Sequence, residues 1–534
     1  MRTSIIVGSM ICLAAGTAYA KDYYVASTGK DDPAGGTQAA PWKTITYAAN
    51  QVLPGDTVIV QAGTYAEQVL IDKDGGASGI RFQAASGAAV VINGNNTLPA
   101  VATEALVSIN GKGISFEGFD VRGSKGVGLM VSGDNHKVLN CKIHDNAHGG
   151  IAADTAIGVQ LSGNTVYKNL MFNAAHNQTG VGPGVAVGAS EKTEVTNNTI
   201  YNNHGQGLAV TEGKNNVVRG NTLYDNLTDN VYVEASEAVT IARNFIYCTT
   251  DVIWQTGGNR PGGISLSDDA VTKGHKVMNN IVSACGGNFA WYPAISGAGL
   301  KNSLIANNTF SQAQNVGITI EQGAHASTTI ANNIVIQSNT QVLELGASGP
   351  YPTFASNNWL GGTPPAAGVN AKDVTGVNCN LININDKKPD GFKIPSGSPC
   401  VDKGTTLADV KDDYFGAARP QGAAYDIGAH EYGGAVTPDA GPPRDGGVKD
   451  GRPTVDGTVP PTDGTVVKPD GAAPKPDGGV SPKTDSGTTP QGDGGTSGGG
   501  GCSCELAERP TSLWPFALLG LAAALGLAFR RRRR

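Results

Sequence analysis

The chain has 534 residues, 75 of them glycine and only 16% charged, with 39 Lys and Arg against 45 Asp and Glu for a net charge of −6. Without Arg2 and the Arg530 to Arg534 cluster the balance falls to about −12, which argues against nucleic acid as a partner. Abundant glycine and 6% aromatics suit short strands and tight turns.

Residues 1–20 join a basic start at Arg2, an apolar run from Ile5 to Ala15 and the small-residue ending Ala18-Tyr19-Ala20. This is the pattern of a secretory signal peptide cleaved before Lys21. From 21 to 433 a single domain is expected, organised by one recurring phrase. Val195 to Ile200, Val218 to Leu223 and Ile241 to Ile246 each read apolar-x-x-Asn-x-apolar, with Asn198, Asn221 and Asn244 at the fourth place. The frame extends back through Asn164 to Cys141 and forward through Asn280, Asn308, Asn333 and, more loosely, Asn357. The steps are 23, 34, 23, 23, 36, 28, 25 and 24 residues. A period near 23, rich in β-branched residues, predicts an all-β right-handed parallel β-helix whose like residues stack about 4.8 Å apart. The asparagines then form an inward ladder, each amide bonded to the next and to the bend.

Two steps are long. From the ladder Asn to the next strand-opening Gly or Asn there are 9 residues in two short coils (Asn198 to Gly207, Asn221 to Asn230). There are 20 from Asn164 to Gly184 and 19 from Asn244 to Gly263. Insertions at 169–183 and 250–262 therefore leave at one bend, about three coils or roughly 14 Å apart. A third, smaller insertion after Asn280 is expected to carry Trp291 and Tyr292. Between the long loops, alternation places Ala152/Asp154, Ala186/Gly188, Ala209/Thr211, Tyr232/Glu234 and Ser265/Ser267 outward, a trough of small residues from which Tyr232 and Glu234 stand.

Aromatic rings, carboxylates and an arginine suit a sugar polymer, so the trough is the predicted binding site. Tyr232, Trp254 and His176 are the substrate-binding candidates. Glu234, His204 and Arg260 are the catalytic ones, Arg260 pairing with a sugar carboxylate and Glu234 or His204 moving the proton. Asp225 and Asp229 are the calcium candidates, sparse for such a site. Each also has a structural reading: Tyr232 and Glu234 as exposed strand residues, Asp225, Asp229 and His204 as turn residues. By this register Asp154 and Glu234 stand three coils apart, too far to act together as a hydrolytic pair unless loops intervene.

Cys248 lies four residues past Asn244 and Cys285 five past Asn280, so the two reach nearly the same bend and are expected to form a disulfide across adjacent coils. Cys379 and Cys400 are a second candidate pair, and Cys141 is expected to be a buried thiol. From 434 to 501 the chain is Pro, Gly, Asp, Thr and Lys with almost no large apolar residue, a disordered linker. Residues 502–534 hold Cys502 and Cys504, an apolar helix over 513–529 and the arginine cluster 530–534.

That tail resembles the C-terminal sorting signal of myxobacterial surface proteins. The resemblance implies processing near Cys502 or Cys504, a sorting helix that meets the membrane, and display on the outer surface of a Gram-negative envelope. Tyr23-Tyr24-Val25, Pro41-Trp42, Pro54-Gly55-Asp56 and Ala62 to Glu67 look like the beginning of secreted β-helix proteins of the pectate-lyase-like superfamily. Gly397 to Gly404 and Asp426 to Glu431 resemble the end of the choice-of-anchor Q group. These resemblances imply a monomeric β-helix that binds or acts on polysaccharide, with lyase-like cleavage of an acidic glycan as the expected activity and calcium as its cofactor. The alternative is a non-catalytic adhesin or carbohydrate-binding surface protein.

Overall fold

The computed structural model describes residues 20–178, 182–268, 273–336 and 338–433. The expected signal peptide (except Ala20), the 434–501 linker and the 502–534 tail with Cys502, Cys504 and the 513–529 helix lie outside the described residues. Among the described residues, no helix is long and apolar enough to cross a membrane.

Three parallel sheets of 13, 11 and 13 strands wind into a right-handed β-helix. Sheets A and B carry three-residue strands such as Val217–Arg219 and Thr222–Tyr224, and sheet C carries longer ones such as Asp229–Glu234. Each coil runs from sheet A through the Asn corner to sheet B, then by a second bend to sheet C. The register repeats residue for residue, so Val195, Val218, Ile241, Val277, Ile305 and Ile330 stack in one inward column. All six are buried.

The ladder runs through Asn164, Asn198, Asn221, Asn244, Asn280, Asn308, Asn333 and Asn357, and all eight are buried. Each Oδ1 from Asn198 to Asn357 accepts both the backbone N–H and the side-chain amide of the preceding ladder Asn. At Asn221 these bonds come from Asn198 at 2.9 and 3.0 Å. The Asn221 Nδ2 in turn donates to Val195 O at 2.8 Å. The residue before each ladder Asn is left-handed (Asn197 φ 55°, Gly220 φ 67°, Asn279 φ 54°), which turns the corner in two residues and favours Gly or Asn there. Cys141 heads the column, a buried free thiol whose N–H donates to Asn164 Oδ1 at 2.9 Å.

A second asparagine ladder stands at the other end of sheet B, where Asn146, Asn169, Asn203, Asn226 and Asn230 bond one to the next. It ends at the Cys248–Cys285 disulfide, whose Cα atoms are 4.8 Å apart; Asn230 Nδ2 donates to Cys248 Sγ at 3.3 Å. Cys379 and Cys400 are also joined. Both long insertions leave at this sheet B to sheet C bend. The third does not: Trp291 and Tyr292 lie on the sheet C strand Phe289–Pro293, and the extra residues follow Pro293 at the bend toward sheet A. Trp291 is fully buried, donating from Nε1 to the Asp268 carboxylate, which also meets His275 at 3.0 Å.

The helix Ile45–Gln51, capped by Thr44, places Ile45, Ala48 and Ala49 in the core at the first coil. At the other end the chain doubles back along the Asn corner. Side chains of the left-handed Asn279, Asn307 and Asn332 reach out and donate to the carbonyls of Asp412, Asp426 and Thr405. Arg419 is buried there against Glu431 (2.7 Å) and Gly428 O (2.8 Å).

Candidate functional site

The outer face of sheet C follows the expected alternation. One row reads Ala152, Ala186, Ala209, Tyr232, Ser265 and the other Asp154, Gly188, Thr211, Glu234, Ser267. Asp154 and Glu234 are thus three coils apart. Asp154, however, leans along the trough: its Oδ1 lies 2.9 Å from the point where a Cβ on Gly188 would stand, so glycine there leaves it room. Between the two stands Glu212, at the left-handed residue (φ 54°) that ends the strand Gln206–Thr211. Burial raises the Asp154 and Glu234 carboxyls above the ordinary carboxylate range, and the Glu212 charge raises both further. Burial pushes the Tyr232 phenol up, and the neighbouring Glu234 charge raises it further. Three carboxylates and a phenol therefore share one electrostatic neighbourhood above small residues. Strand alternation alone missed Glu212 because it sits past the strand's last regular position.

The long loops meet. Trp254 packs on His176 and His204 with ring centroids 5.4 and 5.3 Å away, and His176 Nε2 lies 2.7 Å from His204 Nδ1. Trp254 is consequently buried at 7% exposure and offers no open face for a sugar, contrary to the stacking role expected of it. The pair His176–His204 closes the loops over the bend at 204–207 instead of lining two separate walls. Burial, then the charge of His176, brings His204 down to about 4, with Asp145 opposing and Lys168 adding to the fall. A 2.7 Å contact between two imidazoles needs a lone pair on one of them, so the contact is lost once both rings are protonated.

Because the folded value lies below the ordinary 6.5, the folded chain binds fewer protons at this site than the unfolded chain. The stability is present above pH 6.5 and is lost as pH falls toward 4. The thermal midpoint of the parent is expected to fall more steeply between pH 6.5 and 4 than that of His204→Gln. Parallel curves would exclude the contact as a source of pH dependence.

The remaining candidates are dispersed. Asp225 is buried at the sheet B to C bend and accepts from Thr249 N at 2.7 Å. Asp229 lies over Gly262 on sheet C and accepts from Ser265 Oγ at 2.7 Å. The two carboxylates hold different partners, and no group of three His, Cys, Asp or Glu side chains that could hold a metal ion is found among the described residues. Two carboxylates held by separate partners fit calcium poorly. Arg260 is turned away from the trough. Its Nη1 donates to Ala284 O at 3.0 Å, its N–H donates to Gln314, and it lines a cavity beside Tyr247 with Lys387. Arg260 is thus held at the bend beside Tyr247, where its backbone and guanidinium bond to Gln314 and Ala284 and not to the Tyr232 and Glu234 row.

A row absent from the expectations runs along the outside of sheet B. His144, Tyr167, Tyr201, Tyr224 and Tyr247 stack with centroids 4.5 to 5.1 Å apart and planes within 11°. His144 closes one end, held between Asp145 at 2.6 Å and Asp120 at 3.1 Å. The signal was present: each tyrosine follows its ladder Asn by three residues.

A family described as "Pel9A-like, right handed beta helix region" matches residues 23–180, and one described as "Right handed beta helix region" matches 155–293. Among solved structures, pectate lyase Pel9A is 18% identical, with 78% of this chain and 97% of that chain covered at a TM-score of 0.46. An alginate lyase from Paenibacillus sp. str. FPU-7 is 11% identical (61% and 99% covered, TM-score 0.42). The mannuronan C-5 epimerase AlgE4 A-module of Azotobacter vinelandii is 16% identical (58% and 92%, 0.39). No curated protein matches the sequence.

Proposed function

We propose that the protein binds a polysaccharide lengthwise along the outer face of sheet C and cleaves a glycosidic bond there. The observation that carries this reading is the Glu234 carboxyl, set outward beside Tyr232 in the sheet C trough and pushed upward by burial and the Glu212 charge. A carboxyl held above its ordinary range is a proton donor at higher pH than a free one, which is what the leaving oxygen of a glycoside requires. Glu212, at the end of the preceding strand of sheet C, is the carboxylate placed to activate water or to receive the developing positive charge of the sugar. Ala152, Ala186, Ala209 and Gly188 leave the trough shallow enough for a sugar ring to lie against the sheet.

Lyase-like cleavage of an acidic glycan makes a different demand. Elimination removes the proton beside the sugar carboxylate and needs a cation on that carboxylate. Arg260 faces elsewhere and the trough itself is acidic, so hydrolysis is the better supported chemistry. A non-catalytic surface binder is the second reading, favoured by the three-coil separation of Asp154 and Glu234. Display at the cell surface rests on the tail resemblance and is part of the proposal.

One assay separates the three. The purified protein is incubated with neutral and uronate polymers, and reducing ends and ultraviolet absorbance are followed together. New reducing ends without absorbance are expected. Absorbance from an unsaturated product would mean elimination, and retention on the polymer without either signal would mean a binding protein.

A further inference from the structure

The tyrosine stack ends at Tyr247, and its last ring is placed differently from the others. Tyr224 covers one face at 4.8 Å and 8°. On the other side the register neighbour is Ser283, too short to cover a ring, while Phe245 packs beside Tyr247 at 5.1 Å and Ile384 joins the same apolar cluster. That side opens on a cavity of about 280 Å³ whose wall includes Tyr247, Thr249, Arg260, Gln312, Asn385 and Lys387. Such a volume is at the small end of ligand sites and suits one sugar residue more than a chain.

The chemistry of the wall is specific. The Cys248–Cys285 disulfide fixes the floor, Cys248 being part of the lining. The Arg260 backbone N–H donates to Gln314 Oε1 at 2.6 Å and fixes the stem, while its Nη1 donates to Ala284 O at 3.0 Å and holds the planar fork at the cavity. Gln312 accepts from Ser283 and donates to Asn385 Oδ1 at 2.8 Å, tying the returning segment 384–387 across the opening. Lys387 brings a second positive charge on that segment and acts on Asp225, while Asp386 adds one negative group at the rim.

We infer that this cavity is a separate binding site for a single acidic pyranose residue. Its ring would pack against the part of Tyr247 that borders the cavity and its carboxylate would meet Arg260, with Lys387 adding long-range attraction. A ring face supplies apolar contact for the C–H side of a sugar, and a held guanidinium matches a carboxylate in two bonds. A neutral sugar would leave Arg260 without its anion, so acidity is the selecting feature. The site lies on the sheet B side of the bend, so it does not depend on cleavage at sheet C.

The test is equilibrium binding of D-galacturonate and of methyl galactoside to the full chain, by calorimetry or ligand-observed NMR. Galacturonate is expected to bind and the neutral glycoside to bind roughly tenfold more weakly or not at all. Arg260→Ala should lose about tenfold in galacturonate affinity and Lys387→Ala a smaller factor that vanishes at high salt. Tyr247→Phe should bind as the parent does, since only the ring face is used, whereas Tyr247→Leu should weaken. Glu234→Gln should leave binding intact.

Lys387 is exposed, so its variant is informative even if Arg260→Ala fails to fold. Equal affinity for both sugars, no galacturonate binding at tens of millimolar, or loss in Glu234→Gln alone would each overturn the inference. The last outcome would place the acid sugar in the sheet C trough. Failure of cleavage at sheet C would leave it standing.

Discussion

Asn221→Ala is expected to destabilise the solenoid by on the order of 3 kcal/mol. Truncation removes the acceptor of Asn198 N and Asn198 Nδ2 and the donor to Val195 O, three buried groups in one stroke. Each orphaned buried group costs about 1–3 kcal/mol, partly relieved because Asn198 Nδ2 keeps Leu161 O. Asn221→Asp should be no better: it keeps the acceptor but points a carboxylate oxygen at the Val195 carbonyl. Glu194→Ala, on an exposed outward position of sheet A, should change stability by less than about 0.5 kcal/mol. Denaturant midpoints at unchanged slope measure both. A loss below about 1 kcal/mol for Asn221→Ala would mean that water or a backbone shift restores the bonds, and the ladder would not be what holds the corner.

Glu234→Gln is expected to lower the cleavage rate by about 10²–10⁴-fold with polymer binding nearly unchanged, because glutamine keeps the size of the side chain but cannot give a proton to the leaving oxygen. The pH profile carries the sharper sign. Glu234 must be protonated to act as the acid, so the rate falls as pH climbs through its raised value. Glu212→Gln removes the charge that contributes to the rise, and the alkaline limb should move to lower pH even if the rate is reduced overall. A limb that stays in place would detach Glu234 from the reaction. Undiminished cleavage by Glu234→Gln would do so outright.

Much of the molecule could be read from the chain because the repeat is local. In a parallel coil the neighbour of Asn198 is Asn221, one coil of 23 residues onward, so the inward column, the outward rows and the bend that carries both insertions all follow from counting. The same counting placed Tyr232 and Glu234 on one face and brought Cys248 near Cys285. It also contained the tyrosine row at three residues past each Asn and the second asparagine ladder at five, which went unread because polar residues at a bend resemble ordinary turn chemistry.

Where the repeat stops, the counting stops with it. Residues 169–178 and 250–262 have no copy on the neighbouring coil, so the direction of Trp254 and Arg260 was settled by contacts far along the chain. His204 and His176 draw Trp254 inward, and Ala284 and Gln314 hold Arg260 outward on the sheet B side. The returning segment, which supplies Lys387 and Asn385 to the cavity and Arg419 to the buried cluster, packs on coils more than 70 residues earlier. Sequence alone determined the coil, its columns and the bend of its loops, because those depend on neighbours one period away. Tertiary structure alone decided which loop side chains are buried, which cavity the arginine serves and that Glu212 joins the carboxylates, because those depend on partners with no fixed spacing.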